Sequence, residues 1–180
     1  MRIDSSFRYL SLVVVIATAV GLSMSPVKAQ DSLMAVVFLR EDCVICQEYM
    51  PRLNELSQTY AAAGVSFIGL FPNHSSDWAD IGMFRDKYRP SFPLQADERQ
   101  YWAKRLGAAI TPEVVLYNPA TNTVLYRGRI DNRYAQVGRR RRAGLTPDLE
   151  IALQQWVETG RVTLAGQPAI GCLITFDEAP

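Results

Sequence analysis

Ala35-Val36-Val37-Phe38-Leu39, followed after Arg40, Glu41 and Asp42 by Cys43-Val44-Ile45-Cys46, is the stretch that decides how this chain folds. A short, unbroken apolar run with β-branched residues suits a strand buried on both faces of a sheet. From Cys46 onward Tyr49, Leu53, Leu56 and Tyr60 recur at helical spacing up to Gly64, so a helix of about four turns is predicted to begin near the first cysteine. Pro51 lies inside it and is expected to kink it. Val65-Ser66-Phe67-Ile68-Gly69-Leu70-Phe71 reads as the next strand, and a helix between two buried strands makes a right-handed βαβ unit with parallel pairing.

Working outward, a second helix is predicted over Asp77 to Tyr88, with Trp78, Ile81, Phe84 and Tyr88 on one stripe. Asp97 opens a short third helix, with Gln100 placed as in a capping box. Glu113 to Tyr117 and Thr123 to Arg127 are strand-like and lie one short loop apart, which predicts an antiparallel hairpin and so a mixed sheet. Thr146-Pro147 caps a last helix buried through Leu149, Leu153 and Trp156. Trp78, Trp102 and Trp156 all fall on apolar stripes and are expected in the core. The fold class is α/β, a central mixed sheet flanked by helices, in one domain over residues 33–160. Residues 161–180 read as a tail without period.

Arg2 and Arg8 precede an apolar run from Leu10 to Met24, and Val27-Lys28-Ala29 resembles a small-residue cleavage site, so residues 1–29 read as a secretory signal peptide. The run is shorter than the roughly 20 residues that span a bilayer, so no membrane span is expected in the mature chain. Cleavage removes three cations and one anion and moves the formal charge from +1 to about −1. Nothing in that balance calls for nucleic acid, and no nucleic-acid partner is expected. Arg139-Arg140-Arg141-Arg142 is the one basic run and reads as a solvated loop.

An exported, periplasmic or secreted chain meets oxidising conditions in which a cysteine pair persists as a disulfide. A strand that feeds a helix through Cys-x-x-Cys places the first cysteine at the helix N-terminus, where unpaired N–H groups and the helix dipole favour a thiolate. Cys43 is therefore the candidate nucleophile. Cys46, about one turn further in, is the candidate resolving thiol. Glu41 and Asp42 oppose the thiolate and predict a reducing potential. Zinc would need two further ligands, and beyond the pair the chain offers only Cys172 and its single histidine, His74. His74 follows the second strand, and a place at the same rim as Cys43 is weighed against an exposed loop position. No metal and no cofactor are expected. Cys172, with Ala169, Ile170, Leu173 and Ile174 around it, is either a buried apolar side chain or a third thiol that reaches the pair.

The order strand, Cys43-Val44-Ile45-Cys46, Pro51, then Ile110-Thr111-Pro112 before a hairpin resembles the thioredoxin superfamily over residues 33–160. Leu106-Gly107-Ala108-Ala109-Ile110-Thr111-Pro112-Glu113-Val114 and Tyr126-Arg127-Gly128-Arg129-Ile130-Asp131 are most similar to its exported redoxin or TlpA-like branch. Gly171-Cys172-Leu173-Ile174 is similar to the Gly-Cys tail of bacterial redoxin-domain proteins. The resemblance implies a cis proline at Pro112 facing the disulfide, and a Thr111 backbone that pairs with an extended substrate segment. Asp42 stands where the family usually has Trp, and Val37 where thioredoxin has a buried acid. Acid-assisted proton handling therefore does not carry over.

The expected activity is thiol–disulfide exchange with protein thiols and disulfides through Cys43 and Cys46, with an upstream redox partner. A peroxiredoxin-like thiol peroxidase resembles the same fold, but Leu39-Arg40-Glu41-Asp42 replaces the Pro and Thr of that motif. A Sco-like metallochaperone uses Cys-x-x-x-Cys and a histidine before the hairpin, where this chain has Ala109-Ile110-Thr111-Pro112.

Overall fold

The computed structural model describes residues 32–74 and 76–176. The leader expected over residues 1–29 lies outside them. Among the described residues no helix is long and apolar enough to cross a membrane.

Strands β1 (Leu33–Phe38), β2 (Val65–Phe71), β3 (Leu94–Ala96), β5 (Glu113–Asn118) and β6 (Thr123–Gly128) form one sheet in the order β3-β2-β1-β5-β6. Outside that sheet, β4 (Ile110–Thr111), just before β5, pairs with β9 (Cys172–Leu173), which follows the last helix. β1, β2 and β3 run parallel, while β5 is antiparallel to both β1 and β6, so the sheet is mixed. The helices are α1 (Val44–Ala61), α2 (Trp78–Tyr88), α3 (Tyr101–Leu106) and α4 (Asp148–Thr159). This is the expected thioredoxin-like α/β architecture.

The alternation of a pleated strand explains why β1 is apolar throughout. Ala35, Val37 and Leu39 face a large core with Leu53 and Leu56 of α1, Ile81 and Phe84 of α2, and Leu149, Leu153 and Trp156 of α4. Val36 and Phe38 face a smaller core with Ala103 and Leu106 of α3 and with Val115 and Tyr117 of β5. A strand covered on both faces has no solvent side on which to place polar residues. Burying each such leucine contributes about 1.5–3 kcal/mol.

Several local readings differ from the structure. Trp78 is 67% exposed, not core: it stands in the first turn of α2, where it lines an open cleft with Tyr101 and Trp102. Asp97 does serve the third helix, accepting from the Trp102 and Ala103 N–H groups at 2.9 and 2.8 Å. There is no capping box, because Arg99 and Gln100 have φ of 55° and 57° and break the turn between them. α4 starts one residue later than its Thr-Pro signal. Arg129 donates through Nε and Nη2 to the two Asp148 carboxylate oxygens, at 2.8 and 3.2 Å, and fixes that start. The arginine run is not a plain loop: Tyr134–Gln136 (β7) and Arg139–Arg140 (β8) form a small antiparallel hairpin.

Candidate active site

Cys43 is the N-cap of α1, with an extended backbone at φ −79° and ψ 110°. Its carbonyl accepts the first-turn bond from the Gln47 N–H at 3.0 Å. This places its sulfur over the free N–H groups of the first turn, while the helix geometry carries Cys46 inward until it is wholly buried. Val44 between them is 62% exposed, so the pair sits at the rim with one residue projecting outward.

The Cys43 thiol is pulled down to about 5. The Cys46 thiol acts on it first as a neighbouring donor, with further lowering from the backbone of Cys46 and Ile45 and from the Cys172 thiol, against the cost of burial. Burial and the nearby Cys43 sulfur push Cys46 well above the ordinary thiol range. A low-pKa thiol beside a buried, protonated one is the arrangement in which the first attacks and the second resolves. The acids at 41 and 42 do not dominate as expected. Asp42 is ion-paired with Arg40 at 2.5 Å, and Glu41 accepts from the Ser76 hydroxyl. The thiolate is thus better stabilised than charge counting predicts.

Thr111 and Pro112 stand opposite. The Thr111–Pro112 peptide is cis, both residues are buried, and the Thr111 carbonyl accepts from the Cys43 thiol at 3.5 Å. Glu113, one residue on, accepts from the Ala109 N–H at 2.9 Å and so pins the turn that carries them. Its signal in the sequence is a carboxylate at the head of the apolar run Val114 to Tyr117.

Cys172 is brought to the same place. β9 pairs antiparallel with β4, with Ile110 opposite Leu173 and Thr111 opposite Cys172. The Thr111 backbone, which the resemblance assigns to an incoming segment, is thus occupied by the chain's own tail. Burial and the Cys43 sulfur raise the Cys172 thiol to about 11. His74 lies instead in an exposed turn lining a cleft with Asp97, Glu98 and Gln100, and that cleft includes none of the cysteines. Among the described residues no group of three His, Cys, Asp or Glu side chains is placed to hold a metal ion.

The hairpin of β7 and β8 flanks the pair. Arg140 is ion-paired with Glu48 of α1, and the rings of Tyr134 and Tyr49 meet edge to face with centroids 5.7 Å apart. Between hairpin and helix lies a groove of about 760 Å³, lined by Val44, Ile45, Val137 and Arg140 to Arg142. Just before the hairpin, the buried Asp131 carboxylate accepts from the Tyr49 hydroxyl at 2.5 Å and from the Arg133 N–H at 2.8 Å.

Fold and site together define a thioredoxin-fold oxidoreductase. Residues 18–133 match the model of the AhpC/TSA family, well over half of the chain, and the protein belongs to that family. Among solved structures it is similar to a hypothetical protein of Sinorhizobium meliloti 1021, with 24% identity, TM-score 0.70 and coverage of 83% of this chain and 82% of that one. An uncharacterised conserved protein of Geobacillus kaustophilus gives 24% identity and TM-score 0.68, covering 83% and 80%. A secreted disulfide oxidoreductase of Mycobacterium tuberculosis, homologous to E. coli DsbE, gives 22% identity and TM-score 0.45, covering 53% and 67%. No curated protein matches the chain.

Proposed function

We propose that this protein is an exported thiol–disulfide oxidoreductase that exchanges disulfides with partner proteins, Cys43 attacking and Cys46 resolving. The observation that carries the reading is the placement of Cys43 at the N-terminus of α1, facing the Thr111–Pro112 turn with Cys46 one turn behind it. Attack by the Cys43 thiolate on a protein disulfide forms a mixed disulfide and releases one partner thiolate. Attack by Cys46 on the Cys43 sulfur then releases the second and leaves a Cys43–Cys46 disulfide. An upstream thiol donor would return the pair to the reduced state. Residues 1–29 act in this reading as a cleaved leader, and residues 33–160 carry the chemistry.

The test is turnover of insulin disulfides with dithiothreitol as donor, together with a Cys46→Ser, Cys172→Ser double variant used to hold partners as mixed disulfides. Turnover with partners trapped on Cys43 is the expected result. Consumption of hydrogen peroxide without insulin reduction would replace this reading with that of a thiol peroxidase. N-terminal sequencing of the chain recovered outside the cytosol tests the leader, and a retained Met1 would count against cleavage.

A further inference from the structure

The tail reaches the cysteine pair by an approach that only its own sequence permits. A Cβ on Gly171 would stand 1.9 Å from the Thr111 carbonyl oxygen and 3.1 Å from Pro112 Cδ, so any side chain there forces the two backbones apart. Gly166 makes a similar approach to Arg127, where a Cβ would meet the carbonyl oxygen at 1.8 Å. Beyond Gly171 the contacts continue in register. The Thr111 hydroxyl donates to the Cys172 carbonyl at 3.3 Å, the Ile174 N–H to the Ala109 carbonyl at 2.9 Å, and the Gln100 amide to the Thr175 carbonyl at 2.5 Å. Ile174 is buried in the smaller core. The result is an extended, backbone-paired peptide that presents a cysteine to the sulfur of Cys43, which is itself only 2% exposed. A second polypeptide cannot bring a disulfide to Cys43 while this strand is in place.

We propose that the strand around Cys172 is a tethered substrate mimic: it occupies the edge of β4 beside Pro112, and its thiol exchanges with the Cys43–Cys46 disulfide to give an internal Cys43–Cys172 disulfide. In that step the Cys172 sulfur, having lost its proton, bonds to the Cys43 sulfur, and the Cys43–Cys46 bond breaks. Cys46 leaves as a thiolate and takes up the proton. The disulfide only changes partner, so no external oxidant or reductant enters. Addition of a strand to an exposed edge is a common way to hold a peptide. A tethered one competes at an effective concentration on the order of millimolar. Protein disulfides then react only with the fraction of molecules whose tail is released, which lowers their apparent affinity by that fraction. This inference rests on Cys43 being the nucleophile.

The decisive experiment uses the full chain carrying Cys46→Ser, reduced and then exposed to glutathione disulfide, quenched in acid, alkylated and mapped by mass. Cys43 first takes glutathione, releasing one glutathione thiol, and Cys172 then displaces the second. The expected product is a monomer with a Cys43–Cys172 linked peptide pair. A product that stops at glutathionylated Cys43 with Cys172 alkylated, or a Cys172 bridge found only between molecules, overturns the proposal. Gly171→Ala should cut the linked product about tenfold and raise insulin reduction at least about threefold, as expected when a competing tethered strand is weakened. Unchanged values for both overturn it. Should that variant fail to fold, the Cys46→Ser map decides alone, because its tail is intact. Native chain that forms the internal bridge but does not reduce insulin defeats the oxidoreductase reading, whereas native chain that reduces insulin and never forms the bridge defeats only this one.

Discussion

Helix α1 and strand β9 each deliver a cysteine to the turn at Pro112, and they hold it by opposite means. α1 is 18 residues long and buries Ile45, Cys46, Tyr49, Met50, Leu53, Leu56 and Ser57. β9 is two residues long, one of them exposed, and is fastened by backbone pairs, one buried isoleucine and a glycine contact. A cysteine on the first can leave its place only if the core opens. One on the second can leave while the rest of the domain stays folded, since local opening costs only the contacts of the segment that opens. The site therefore has one fixed thiol pair and one removable thiol.

The largest effect expected from this contrast is on turnover. Cys43→Ser should lower insulin reduction by more than about a hundredfold, as loss of a nucleophile does. Cys172→Ser keeps the strand docked and should change the rate by less than about threefold. Equal losses would mean that both thiols belong to one obligatory cycle. Next in size are the packing energies. Leu53→Ala, in the fully buried face of α1, should cost about 2–5 kcal/mol in urea denaturation. Ile174→Ala should cost less than half as much, and its effect should appear as faster hydrogen exchange at Ile174 with α1 unchanged. A global loss from Ile174→Ala as large as that from Leu53→Ala would erase the distinction.

The pH dependence comes third. The folded Cys43 thiol lies at about 5, below the ordinary thiol range, so its contribution to the stability of the reduced chain is full above that range and is lost as pH falls toward 5. The stability of the reduced chain should therefore rise between about pH 5 and the ordinary thiol range near 8.5, and Cys43→Ala should flatten the rise. Alkylation of Cys43 should be half-maximal near pH 5, while Cys172, raised to about 11, should stay slow at neutral pH. Faster alkylation of Cys172 would reverse the roles. The smallest effect belongs to the hairpin: Arg140→Gln breaks a surface ion pair with Glu48 and should cost less than about 1 kcal/mol.

What could be read from the residues alone follows the same division. β1, α1, β2 and the β5–β6 hairpin each carry a full period of apolar spacing, and their cores form along that period, so the sheet and the position of Cys43 were legible. β9 and β8 are two residues each, and β3 and β7 three, too short for any period. β9 and β3 exist only through partners far along the chain, and β7 and β8 only through each other across a short turn. The Gly171-Cys172 step was visible as a motif, but the approach to Thr111 that gives it meaning spans 61 residues of sequence separation between Thr111 and Cys172. Trp78 misled for a related reason: helical spacing tells which residues share a face, not where along the helix the neighbouring sheet stops.

The antiparallel pairing of β9 with β4 also has a mechanical side. Drawn from its C-terminal end, the strand loses the Gln100–Thr175 bond, then Ile174–Ala109, then Thr111–Cys172, one at a time. Such a seam peels like a zipper under small forces, whereas bonds loaded together in shear must fail at once. An arriving polypeptide needs to displace only the outermost contact first and can then advance toward Thr111 as the tail retreats, in the manner of a toehold displacing one strand of a duplex.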